Sequence, residues 1–180
     1  MHLSDTEMTR IATRVAMLAA QITSRRSMGA GATAALGVCG TAVAVVAHVD
    51  TPNANKWAVT PGALRGLNRA AKIADSPPEI WLDHTPGTRV GFVSRIKEKG
   101  GEVIAHLTFD DTEAGREAHA RAADSTWSIS VRGARIDSDG VRHYADFIVL
   151  CEVTMVTTGE AADPHTRTIS VSGIQRGPTH

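Results

Sequence analysis

At 180 residues, with 19 Lys and Arg against 19 Asp and Glu, the chain has room for one domain with its own core and carries no formal net charge. That balance removes the electrostatic case for a nucleic-acid or anionic-membrane partner, so the expectation is no nucleic acid, no membrane and a protein partner. The two cysteines, Cys39 and Cys151, are far apart and in no CxxC spacing, which excludes a disulfide scaffold or a structural zinc site and fits a reducing cytoplasm.

In chain order, Ser4, Asp5, Thr6 and Glu7 have the spacing of a capping box, in which the Ser oxygen accepts from a first-turn N–H and the Glu reaches back. Met8, Ile11, Ala12, Val15, Leu18, Ala19 and Ile22 then form one apolar stripe, and Arg25 and Arg26 suit the negative end of a helix, giving an N-terminal amphipathic helix within residues 1–28. Residues 29–40, rich in Gly and Ala, read as a flexible linker. Because residues 28–49 contain no Lys, Arg, Asp or Glu, a twin-arginine export signal or a membrane span has to be weighed. The stretch is mostly Ala, Gly and Thr up to Val43, short of the Leu, Ile and Phe that favour insertion, so a linker running into a buried strand is preferred.

The folded domain is expected over residues 41–164. Residues 43–49 are a β-branched apolar run suited to a buried strand. Thr60 and Pro61 provide an N-cap and a first-turn proline before Ala63, Leu64, Leu67 and Ala71, a helix. A short strand follows over 79–83. Residues 89–96 and 102–109 flank Lys99, Gly100 and Gly101 as a hairpin does, 112–123 is helical, and 127–136 and 141–149 flank a second turn, Asp137 to Gly140. Residues 153–157 continue as strand. The polar end of the chain shows no packing period and reads as a C-terminal tail, 165–180. Strands outnumber helices, so the class is α+β.

Three segments carry the candidate chemistry. Residues 57–91 run from a helix after Pro61, Gly62, Ala63 and Leu64 to a strand ending at His84, with Val90 and Gly91 shortly beyond. Residues 127–133 read Trp-Ser-Ile-Ser-Val-Arg-Gly, with Ser128 near the strand start. Residues 150–157 read Leu-Cys-Glu-Val-Thr-Met-Val-Thr, with Ala161, Ala162, Asp163 and Pro164 after them. In this order the segments resemble the prohead serine proteases of tailed bacteriophages, over about residues 41–164. The resemblance places His84 at the family's catalytic histidine, Ser128 at the nucleophile of a strand that usually reads Ser-hydrophobic-Gly, and Glu152 at the acidic position. Ser130 departs from the usual Gly, where it can crowd a developing oxyanion, and Thr154 departs from the usual Ser.

The resemblance implies a mainly antiparallel β-barrel, closed or nearly closed and surrounded by helices, as in the herpesvirus capsid-maturation proteases. In those enzymes a histidine stands where Glu152 does here. It further implies a serine endopeptidase with no cofactor and no metal, backbone N–H groups near Arg132 and Gly133 as oxyanion donors, and action in the host cytoplasm inside the assembling prohead. Its partners would be the major capsid protein with its scaffold segment, other prohead proteins and a further copy of itself. Residues 1–40 would then be a packaging or dimerisation element, or a pro-segment removed by self-cleavage.

On chemistry alone, a serine hydroxyl is a poor nucleophile until an imidazole takes its proton, and a carboxylate orients that imidazole. Taken singly, His84 reads as a turn histidine and Ser128 as the polar face of a strand. Glu152 stands out unaided, because a carboxylate on an apolar strand needs a partner. A thiol nucleophile at Cys151 or Cys39 needs an activating environment, whereas Cys151 alternates with apolar strand neighbours as a buried cysteine does; a metal site from His84, His106, His119 and His143 lacks i,i+4 pairing or an HExxH motif, and a nucleotide site lacks a Gly-rich phosphate loop. Trp57, Trp81 and Trp127 read as core or groove residues. Two functional alternatives remain: a non-catalytic capsid or scaffold-binding protein on the same fold, and an exported hydrolase led by Arg25 and Arg26.

Overall fold

Where the sequence passes from Gly and Ala to β-branched residues, an 11-residue strand forms, β1, Val38–His48. In the computed structural model, the residues described are 37–61, 63, 77–133, 135–144, 149–157 and 159–173. After the short β2, Trp57–Val59, and β3, Glu79–Leu82, come β4, Gly91–Lys99, and β5, Glu102–Asp110. These two pair antiparallel around Gly100 and Gly101, whose φ values of 61° and 82° are the left-handed pair that a two-residue hairpin turn needs. Helix α1, Glu113–Arg121, starts at Thr112, whose hydroxyl accepts from Gly115 N at 3.0 Å. The chain continues with β6, Thr126–Arg132, the hairpin β7, Arg135–Ser138, and β8, Val141–Tyr144, then β9, Val149–Val156, and β10, Arg167–Gly173.

Seven strands form one sheet in the order β10-β1-β5-β4-β3-β9-β6, and β2, β8 and β7 form a second, three-stranded sheet. Pairing is antiparallel except for β3 with β9 and β2 with β8. The large sheet curls until its edges meet. Trp127 of β6, fully buried, donates from Nε1 to Thr168 Oγ1 at 2.9 Å and from its backbone N to Thr166 Oγ1 at 3.0 Å, so side chains rather than a strand ladder join β6 to β10. Val46, Ile80, Leu107, Phe109, Ile129, Val153 and Met155 fill the interior.

The expected mainly antiparallel β architecture is present as a curled half-barrel sheet, with four corrections. β1 begins at Val38, inside the stretch read as linker, because Val38 and Gly40 continue the pairing with β5, opposite Asp110 and Phe109. The strand expected over 127–136 ends at Arg132, and β7 joins a different sheet. The segment read as a C-terminal tail contains β10, which pairs antiparallel with β1. Helices surrounding the barrel are not found among the described residues, where α1 is joined by a short 3₁₀ turn, Ala122–Asp124. The expected N-terminal helix and most of the helix after Pro61 lie outside the described residues. Among the described residues no helix is long and apolar enough to cross a membrane, and half of the charge-free stretch is β1.

Candidate active site

The site is assembled on β9, the last but one strand among the described residues, which inserts between two earlier ones. Its neighbour on one side is β3, parallel, with Glu79 beside Glu152 and Leu82 beside Met155. On the other side lies β6, antiparallel, with Ser128 opposite Thr154 and Ser130 opposite Glu152. Directly opposed residues share a face of the sheet, so Ser128, Ser130, Glu152 and Thr154 lie on one side while Ile129, Val153 and Met155 fill the core on the other. Ser128 and Glu152 are diagonal neighbours, about 7–8 Å apart by backbone. Both faces of β9 are covered: Glu152 and Thr154 are as buried as Val153.

His84 reaches this face by a reversal. If β3 continued straight, His84 would lie about 16 Å along the sheet from the level of Glu152, at ~3.3 Å per residue. Asp83 and His84 instead adopt φ of 47° and 55°, a left-handed pair that turns the chain back. Such backbone costs roughly 1–2 kcal/mol for each non-glycine residue. The turn is closed by Thr85 N donating to Leu82 O at 2.9 Å, and by Thr88 Oγ1, which accepts from Leu82 N at 3.0 Å. The result is a 2.7 Å hydrogen bond from His84 Nδ1 to Glu152 Oε1. With the carboxylate accepting, Nδ1 carries the proton and Nε2 is the basic nitrogen. The Glu152 side chain is 4% exposed and that of His84 is 47% exposed, so a buried carboxylate anchors an imidazole that remains accessible.

Of the residues singled out in the sequence, His84 and Glu152 are thus in direct contact, and Ser128 lies one strand away on the same face of β9. Among the described residues, no hydrogen bond joins Ser128 Oγ to the His84 ring. Arg132 and Gly133 are not brought to Ser128. Arg132, paired with Val149 at the far end of β6, is about 13 Å along the strand, and an oxyanion beside Ser128 is out of reach of its N–H unless β6 folds back. Ser130, the departure from Gly, is half-buried, and Cys151 stands at the bulge between the Ser130–Glu152 and Val131–Leu150 pairs. Burial pushes the Cys151 thiol up; Arg132 and the Ser130 hydroxyl pull it down, and the Glu152 charge raises it. The Cys39 thiol is raised first by burial and then by Asp111. Thr154 Oγ1 is buried without a hydrogen-bond partner, facing Ser128 across the β6–β9 pair. Among the described residues no group of three or more His, Cys, Asp or Glu is arranged to hold a metal.

A second histidine–carboxylate contact was not legible in the sequence. His48, the last residue of β1, bonds through Nδ1 to Asp163 Oδ2 at 2.7 Å, across 115 residues of chain. The pair lines a water-sized cavity at the seam between β1 and β6, together with Val46, Trp57, Ile129 and Ser128. No local motif announces it, since His48 closes an apolar strand and Asp163 sits in a turn.

No family model matches the sequence, and no curated protein matches it. Among solved structures, the chain is similar to the bacteriophage T4 capsid assembly protease, gp21, with a TM-score of 0.52 and 14% sequence identity, covering 66% of this chain and 82% of that one. At that identity the likeness is one of fold. The chain therefore shares its fold, over the matched part, with that protease.

Proposed function

We propose that this protein is a serine endopeptidase of prohead maturation, in which His84, Ser128 and Glu152 form the catalytic triad. The observation that carries the reading is the convergence on β9: a buried carboxylate holds an accessible imidazole, and a serine stands diagonal to that carboxylate on the adjoining strand. Glu152 fixes the Nδ1–H tautomer, His84 Nε2 accepts the Ser128 proton, and Ser128 Oγ attacks the scissile carbonyl. His84 then returns the proton to the leaving amine, and water releases the acyl group by the same route in reverse. Ser128 and His84 close to hydrogen-bonding distance when substrate is seated, as catalytic contacts in apo enzymes commonly do. The chemistry requires no metal or cofactor. The fold likeness to a capsid assembly protease supports substrates in the same setting: the major capsid protein with its scaffold segment, other prohead proteins and further copies of this chain, inside the assembling prohead in the host cytoplasm.

Co-expression with the neighbouring capsid gene product, followed by intact mass measurement, tests the reading. Cleaved capsid or cleaved protease is expected with the wild type and not with Ser128→Ala. Identical uncleaved masses in assembled shells would favour a non-catalytic capsid-binding protein instead.

A further inference from the structure

The turn that delivers His84 is tied to the strand that delivers its partner. Asp83 N donates to Met155 O at 3.1 Å, and the Asp83 carboxylate receives both donors of Thr157: the backbone N at 2.7 Å on Oδ1, and the hydroxyl on Oδ2. Thr157 directly follows β9, five residues beyond Glu152. The imidazole and the carboxylate it binds are therefore both referenced to one strand, the first through Asp83 and the second directly. A sequence reading gives Asp83 no role, because an aspartate before a turn is ordinary. Its position is not ordinary: Asp83 and His84 are adjacent side-chain-bearing residues with left-handed backbone, and the bonds from Thr157 fix the first of them.

We propose that Asp83 is a positioning residue, whose carboxylate clasps Thr157 and thereby holds the His84 ring against Glu152. This rests on the reading of His84 and Glu152 as a working pair. Without the clasp, the His84–Glu152 bond must itself hold the His84 side chain to β9, and His84 samples positions in which Nδ1 leaves Glu152. A purely structural aspartate would be replaceable by glycine, which adopts the left-handed conformation without strain. A positioning aspartate would not be, whereas asparagine keeps an oxygen acceptor for Thr157 N.

The test uses the full-length chain and two readouts. The first is the low-field proton resonance of His84 Nδ1–H bonded to Glu152, assigned by its loss in Glu152→Gln. The second is cleavage of the co-expressed capsid substrate. Asp83→Gly is expected to fold, to lose the resonance and to lower kcat at least tenfold with KM within about twofold. Asp83→Asn is expected to retain the resonance and most of the rate. Retention of the resonance in a folded Asp83→Gly overturns the proposal whatever the cleavage does. Loss of the resonance with cleavage unchanged supports the positioning role and instead sinks the assignment of His84 and Glu152 to catalysis.

Discussion

Two histidines in this protein bind carboxylates at the same 2.7 Å, and they do so in opposite settings. At His84 the carboxylate is buried and the imidazole nearly half exposed. At His48 both partners are mostly covered, with side chains 20% and 12% exposed, and Glu102 approaches Nε2 to 4.0 Å. The first arrangement spends its burial on the acid and leaves the base free to exchange a proton with something outside. The second joins the end of β1 to the turn before β10, where the sheet edges meet. The hydrogen-bond length does not separate the two; the direction of exposure and the strand that each imidazole adjoins do. Both lie within reach of Ser128's strand, since the cavity beside His48 also touches Ser128.

The largest effect expected from this contrast is at Glu152. Glu152→Gln keeps the shape but no longer enforces the Nδ1–H tautomer, and cleavage should fall about 10³–10⁴-fold, measured as product formed per unit time from capsid substrate. A fall of less than tenfold would break the contrast. His48→Ala should act on stability instead. Loss of a largely buried charge-assisted hydrogen bond costs about 1–3 kcal/mol, a drop of several degrees in Tm at this chain length, with cleavage of the folded fraction unchanged.

Cys151 offers a finer probe, because the thiol lies beside Glu152 and burial raises its pKa first, with the Glu152 charge adding to the rise. Iodoacetamide at neutral pH should modify it more slowly than a free cysteine and leave cleavage intact. Glu152→Gln should speed the modification slightly. Rapid alkylation with loss of cleavage would point to a thiol nucleophile.

The smallest effect concerns a histidine without a carboxylate. His106 is shifted down from its ordinary value by burial first and by Lys97 and Arg95 next. Its unfolded form takes up a proton at a higher pH than its folded form. Its contribution to stability is therefore present above the ordinary histidine value near 6.5 and is lost as pH falls below it toward the folded value. Denaturant midpoints measured between neutral and mildly acidic pH should decline less in His106→Gln than in the wild type, and an equal decline in both would rule this contribution out.

Much of the site could be read from sequence because its residues lie in short strand segments with local signatures. Gly100 with Gly101, and Asp139 with Gly140, announced their hairpins through the left-handed backbone that such turns require. Glu152 drew notice because a carboxylate among apolar strand residues must find a partner, and its partner is His84. β10 was missed because it is an edge strand with one face open to solvent, so its alternation is mostly polar and Ile169 is exposed. The end of β6 at Arg132 was missed because periodicity does not register a change of sheet. Asp83 and the His48–Asp163 pair were missed for a different reason. Their roles come from contacts across 74 and 115 residues of chain, which no local pattern encodes.

The most direct measurement sets the two histidines against each other in the capsid co-expression assay, with intact masses of capsid and protease recorded for the wild type, His84→Ala and His48→Ala. Cleaved products are expected from the wild type and from His48→Ala, and full-length masses alone from His84→Ala. Cleavage that survives His84→Ala but is abolished in a folded His48→Ala would contradict this expectation and move the catalytic base to the seam.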